Sequence, residues 1–192
     1  QTAAQENIEN LSHYTFERIL TACPHCFNTL GNEYPEFEGG KFTVIDHPTF
    51  IRELMTSGRL RLEGGVTDEL TVWHDPCYLA RQNHIVEAPR EVLGALRPNK
   101  TFPQEAGEKT FCCGAGGGQM WTDQQNGKKR INVIRLEALR ETGAKSVATA
   151  CPHCLTMLES ARAVSGKDAE DVRIADIAEI VAGAIPDEAK SA

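Results

Sequence analysis

The hexapeptide Thr-Ala-Cys-Pro-His-Cys occurs twice in this chain, at residues 21–26 and unchanged at 149–154. A repeat of that fidelity marks two copies of one structural unit, so the fold has to be built from two related halves. An offset of 128 residues superimposes the two segments, and an offset near 130 matches Ile45-Asp46 to Ala175-Asp176 downstream. On that register the counterparts of Cys112-Cys113 would fall about 16 residues before Gln1, and that of Cys77 about 51 before it. The first copy is therefore expected to lack its front half. The chain opens on Gln1 within a helical pattern, and it is expected to be a piece of a longer protein.

Five of the seven cysteines belong to the second copy, as Cys77, then Cys112-Cys113-Gly114, then Cys151-Pro152-His153-Cys154. The pattern reads C-x34-C-C-G-x36-C-x2-C. Five thiols on three segments suit one metal centre, whereas an even-numbered disulfide framework would not leave five together. Grouped cysteines in odd number belong to reducing compartments, so a cytoplasmic location is expected. The opening QTAAQENIENL is too polar for a signal peptide, and no run of about 18 apolar residues is present, so no membrane insertion by this segment is expected. A net charge of −7 and an aromatic share of 6% argue against a nucleic-acid partner, which needs basic and stacking surfaces.

Hydrophobic patterning predicts alternating strands and helices. Strands are expected over 18–21, 42–46, 70–73, 146–149 and 172–176. Helices are expected from Ile8, from Phe27, over 48–57, over 123–142 and over 177–184, and a loop or helix from Tyr78 to about Leu96. Gly64-Gly65 and Asp68-Glu69 look like a linker, and 97–109 is a polar stretch. The fold class is α/β, with two related lobes of mainly parallel sheet flanked by helices. The lobes cover 1–67, the back half of a first repeat, and 68–192, a complete second repeat. Four glycines within 114–118 require a tight loop.

Thiolates bind zinc or iron–sulfur clusters. Zinc needs four donors, available from Cys77 or His74, one of Cys112 and Cys113, and the Cys151/Cys154 pair, with a thiol left over. Adjacent cysteines are poor joint ligands to one tetrahedral ion. A polynuclear cluster accommodates them more easily, because neighbours bind different irons. On residue chemistry alone zinc, and a disulfide-held or purely structural set, stay open beside the cluster.

The five-cysteine pattern, preceded by His74-Asp75-Pro76, resembles the cysteine-rich CCG domain found in heterodisulfide reductase and in the iron–sulfur subunits of glycolate and lactate oxidases. The likeness runs over 70–184, with a partial second copy in 1–61. It implies Cys77, Cys112, Cys113, Cys151 and Cys154 as ligands of a non-cubane 4Fe-4S cluster. Cys23 and Cys26 are then the remnant of an incomplete first site. The stretches TACPHCFNTLGNEYPEF and FCCGAGGGQMW are similar to actinobacterial membrane-bound iron–sulfur reductases that resemble electron-transfer-flavoprotein dehydrogenases. That likeness implies a parent protein with membrane helices and a ferredoxin-like segment, this chain lying on its cytoplasmic face. It also implies electron flow from an electron-transfer flavoprotein toward menaquinone.

Ordinary roles are expected for the remaining residues of note. His25 and His153 cap or pack at their loops, Asp75 caps the turn before Pro76, and 114–118 encloses the cluster. Met120 and Trp121 pack in the core rather than line a substrate approach. Lys128-Lys129-Arg130, with Arg135 and Arg140, form a solvated helix face rather than a dock for a flavoprotein. The expected function is the C-terminal cluster-bearing part of an iron–sulfur oxidoreductase, relaying electrons between a flavoprotein and a quinone or disulfide. Alone it is not expected to turn over, and in air its cluster is expected to be lost or replaced by zinc. The alternative is a non-catalytic interaction module held together by zinc or disulfides.

Overall fold

The structure, a computed structural model, describes residues 2–122, 127–169 and 171–186. Helix α1 (Thr2–Ser12) leads to β1 (Ile19–Thr21), α2 (Pro24–Asn28), β2 (Val44–Asp46) and α3 (His47–Thr56). Then follow β3 (Thr71–Trp73), α4 (Glu87–Leu96), β4 (Lys100–Thr101), α5 (Ile131–Arg140), β5 (Ser146–Thr149), α6 (Pro152–Val164), β6 (Arg173–Asp176) and α7 (Ile177–Ala184). The α/β expectation is borne out. Strands β1 and β2 make a two-stranded sheet, the other four a sheet in the order β4-β3-β5-β6, and every pairing is parallel.

The repeat is visible in the strand registers. Thr21 pairs with Asp46 across β1 and β2, and Thr149 with Asp176 across β5 and β6. Each aspartate then caps the helix that follows. Asp46 Oδ1 accepts from the Thr49 amide at 3.0 Å and Asp176 Oδ1 from the Ala178 amide at 2.9 Å, which satisfies amides that a helix start leaves free. Proline opens both helices that follow the repeated hexapeptide, Pro24 in α2 and Pro152 in α6, each with a cysteine at the N-cap.

Side chains of successive strand residues face opposite sides of the larger sheet. Val72 and Val147 meet Leu136, Leu139 and Leu158 of α5 and α6, while Trp73 and Ala148 meet Val92, Leu93, Ile177 and Val181 of α4 and α7. Each of these fully buried leucines contributes roughly 2 kcal/mol of transfer free energy. Ile51 of α3 joins the second cluster, so the smaller sheet's helix packs on the larger sheet's helices. From β3 the chain crosses through α4 to β4 on one side, then returns through α5 to β5 on the other. The direction of winding therefore reverses between β3 and β5, and in open parallel sheets the crevice beyond the strand ends at that point is where ligands bind.

Two expectations need correction. The helix expected over 123–142 begins only at Ile131; residues 123–126 lie outside the described residues, Gly127 has φ +114°, and Arg130 is extended at φ −68°, ψ 145°. The face of α5 also differs: Ile131 and Ile134 are exposed, whereas Asn132, Arg135, Leu136 and Leu139 are buried. Within the polar stretch the structure adds β4, a two-residue edge strand.

Candidate metal centre

The crevice is built first by the carboxyl end of β3. The His74 amide donates to Ala148 O at 2.9 Å and Thr149 Oγ1 donates to His74 O at 3.2 Å, which ties the residue to β5 past the end of the strand. Asp75, 1% exposed, is a three-way clamp rather than a turn cap. Its carboxylate accepts from Trp73 Nε1 at 2.8 Å, Arg90 at 3.0 Å and the Gly107 amide at 2.7 Å. Thr110 Oγ1 donates to Asp75 O at 2.9 Å. These bonds fasten the segment that enters Cys112 to the turn that presents Cys77.

The second element is the glycine-rich loop. At Gly114, φ is +85°, and a Cβ would stand 2.9 Å from Ile131 Cβ and 3.3 Å from the Asn132 amide nitrogen. Only glycine fits there. Its amide donates to Cys112 Sγ at 3.2 Å. Gly117 and Gly118, also at positive φ, carry the loop through a 3-10 turn to Trp121. The third element is the start of α6, where Cys151 caps the helix and Cys154 lies one turn on.

The five predicted cysteines converge on this crevice. Cys113, Cys151 and Cys154 are buried, and Cys77 and Cys112 are half-buried. Cys154 Sγ lies 3.3 Å from Cys113 Sγ. Bonds from Cys113 and Cys77, aided by the Gly114 amide, hold the Cys112 thiol down to about 2. Cys113 is pushed up to about 12 by its bond to Cys112, and Cys77 is raised by its bond to Cys112 and by burial. A bond from Cys154, with His25 and the amides of the α6 start, brings Cys151 down to about 5. Cys154 is raised by its bonds to Cys113 and Cys151. The mutual thiol bonds thus favour ionisation at Cys112 and Cys151 and oppose it at Cys77, Cys113 and Cys154.

This arrangement has a kinetic signature. Below its pKa an ordinary thiol reacts with alkylating agents about tenfold faster for each unit of pH. Cys112, half-exposed at a depression shared with Arg81, Lys109 and Gln119, is expected to react at a nearly constant rate from about pH 5 to about pH 8. Peptide mapping of the reduced, metal-free protein after limiting iodoacetamide checks this. A tenfold rise per unit at Cys112 would mean that the thiolate is absent.

The first copy of the hexapeptide faces the same crevice. His25 lies against Tyr78 with ring centroids 4.0 Å apart and edge-on to His153 at 5.0 Å. Bonds to Cys151 and then Cys23 raise its imidazole to about 9. Burial of Cys23 opposes its ionisation, but bonds from His25 and Cys26 outweigh this and lower the thiol. Cys26 is exposed as a residue, yet the partial desolvation of its thiol, and then its bond to Cys23, raise it. Ligand atoms of Cys23, His25 and His153 lie within 4.8 Å of one another. The two histidines expected to serve only their own loops therefore bring the two copies of the hexapeptide into contact. His153 Nδ1 also approaches Met120 Sδ at 3.2 Å.

Sequence reasoning missed Arg135. Expected on a solvated face, it is fully buried, with Nε donating to His74 Nδ1 at 3.0 Å and its terminal nitrogens to Glu105 O at 3.3 Å and Thr110 Oγ1 at 3.4 Å. Burial and then Arg135 push the His74 imidazole down to about 3. Leu136 and Leu139 define a stripe whose earlier members are Asn132 and Arg135, and that helical spacing was the available signal. Met120 packs against Cys113, Cys151 and Cys154 as expected, but Trp121 is 77% exposed instead of core. Lys128 and Lys129 are exposed as expected, though not helical. Lys129 pairs with Glu137 at 2.8 Å, and Arg130 donates to Thr122 O at 3.1 Å.

Comparison with known proteins matches the family model described as the CCG cysteine-rich domain to residues 1–31 and 71–159. A probable membrane-anchored ferredoxin of Chromohalobacter salexigens is 44% identical over 96% of this chain and 28% of its own length. An EtfAB:quinone oxidoreductase of Syntrophomonas wolfei is 35% identical over 94% of this chain and 26% of its own. One subunit of the dihydromethanophenazine:CoB–CoM heterodisulfide reductase of Methanosarcina barkeri is 31% identical over 95% of this chain and 44% of its own. The chain thus spans between about a quarter and under half of these curated relatives.

Proposed function

The chain belongs to the CCG cysteine-rich domain family, and on that premise we propose that Cys77, Cys112, Cys113, Cys151 and Cys154 hold an iron–sulfur cluster through which electrons are relayed. The observation that carries this reading is the convergence of five sulfurs from three segments where the winding of the larger sheet reverses. Five soft donors exceed the four that a tetrahedral zinc ion takes, and the adjacent pair suits neighbouring irons better than one ion. The buried Nε2 of His74, without a partner among the described residues, also fits a crevice meant to enclose something.

When bound, a cluster of the non-cubane 4Fe-4S type would supply one-electron transfer there. The chain's own residues do the rest. Cys113, Cys151 and Cys154 keep the inner face away from water, and half-buried Cys77 and Cys112 leave an approach from the depression by Gln119. Gly114 lets the loop come close, and the Asp75–Thr110 clamp fixes the spacing of Cys77 and Cys112.

In this reading residues 68–192 are a complete repeat, and residues 1–67 carry Cys23 and Cys26 as part of a sister site. The parent protein passes electrons between a flavoprotein and a quinone or disulfide at the cytoplasmic face of a membrane. The names of the relatives from Chromohalobacter, Syntrophomonas and Methanosarcina support those partners. Among the described residues no helix is long and apolar enough to cross a membrane, so the reading assigns membrane contact to another part of the parent.

The test is redox turnover of anaerobically reconstituted protein. Dithionite is expected to bleach the visible absorbance, and a naphthoquinone or an aromatic disulfide to restore it. Absorbance that neither reductant nor oxidant changes would contradict a relay.

A further inference from the structure

His74 is completely buried, and only one of its ring nitrogens has a partner among the described residues. Arg135 Nε, at 3.0 Å, can only donate, so His74 Nδ1 has to accept. A neutral imidazole whose Nδ1 accepts carries its proton on Nε2. That nitrogen is the unpartnered one, and a ring nitrogen of His74 lies within 4.8 Å of the sulfurs of Cys113 and Cys154. The guanidinium is itself fixed by Glu105 O and Thr110 Oγ1, so the imidazole cannot turn over without stranding an arginine donor.

We propose that His74 is a positioning hydrogen-bond donor to the sulfur centre, not a metal ligand: Arg135 fixes the tautomer, and Nε2–H is directed at sulfur held by Cys113 and Cys154. This rests on the cluster reading above. Ligation through Nε2 would need its lone pair free and the proton on Nδ1, where it would point at the Arg135 donor. A fixed donor with a guanidinium behind it stabilises added negative charge on sulfur, so it raises the reduction potential of whatever the five cysteines hold.

Two measurements decide it. In the reduced, metal-free protein, nitrogen-15 NMR of His74 is expected to show a pyrrole-type Nε2 and a pyridine-type Nδ1; the opposite tautomer overturns the inference whether or not a cluster binds. In the reconstituted, reduced protein with nitrogen-15 histidine, pulsed EPR is expected to show weak coupling of the through-hydrogen-bond kind. That coupling should survive a His25→Gln/His153→Gln double variant, which removes the other imidazoles near the sulfurs. It should disappear in His74→Gln, with the midpoint potential moved to a more negative value. Strong coupling, as from a coordinated imidazole, or no coupling in a protein that carries the cluster, overturns the inference. Failure to assemble any cluster in the unmodified chain sinks the underlying reading instead, while the tautomer measurement still decides the Arg135–His74 pair.

Discussion

Cys112→Ser is expected to abolish the visible absorbance of the anaerobically reconstituted protein, with iron falling from about four atoms per chain to below about one. Cys112 is the thiolate onto which both Cys77 and Cys113 bond in the metal-free crevice, and it joins the β3 turn to the glycine-rich loop. A serine hydroxyl stays protonated near neutrality and is a hard donor, so it replaces neither the charge nor the softness of the thiolate. The comparison is Cys23→Ser. Cys23 meets the crevice through His25 and His153 rather than through any of the five sulfurs, and this variant is expected to retain its absorbance. Equal loss in both would show that the two lobes share one site, against the division of the cysteines into five and two.

Asp75→Ala is expected to destabilise the reduced, metal-free protein by about 3–5 kcal/mol, the range found when one partner of a buried charge pair is removed. The substitution strands Trp73 Nε1, the Gly107 amide and Arg90 together. Arg90 is 22% exposed in its side chain and lies 4.3 Å over the Phe102 ring, so it recovers part of its solvation; the other two donors are sealed in. With a urea slope of about 2 kcal/mol per molar, the unfolding midpoint should drop by roughly 2 M. Asp75→Asn, which keeps an acceptor, should lose less. A change below about 1 kcal/mol for the alanine variant would mean that the clamp does not hold the Cys112 segment.

Much of the scaffold was legible because it depends on local pattern. The offsets of 128 and 130 residues matched the two hexapeptides and matched Ile45-Asp46 to Ala175-Asp176, segments that the structure pairs alike in both copies, and β5 and α7 fall at the residues expected. Hydrophobic period and a repeated hexapeptide are properties of neighbouring residues. What stayed hidden depends on partners far along the chain. Arg135 is buried because His74, 61 residues earlier, accepts from it; the helical spacing within α5 places it on the buried stripe, but does not reveal the partner that lets a charge sit there. Asp75 looked like a turn cap because its three partners come from β3, α4 and the loop at Gly107. Strand β4 is two residues in a polar stretch, formed by pairing to Thr71 and Val72 rather than by its own propensity. The sharp start of α5 at Ile131 follows from the extended Arg130, which hydropathy does not register.

For the site, the grouping of Cys77, Cys112, Cys113, Cys151 and Cys154 was legible from spacing, whereas the inward reach of His25 and His153 was not. Their contact needs the two lobes to face each other through their hexapeptides, and that follows from packing of α3 on α4 and α7.

The central claim is that these five sulfurs hold a polynuclear iron–sulfur centre. Iron, zinc and acid-labile sulfide, measured on one anaerobically reconstituted sample of the unmodified chain, test it most directly. The account predicts about four iron and about four sulfide per chain with negligible zinc. One zinc per chain with neither iron nor sulfide, under conditions that exclude oxygen, would contradict it and leave the crevice a zinc-held structural module.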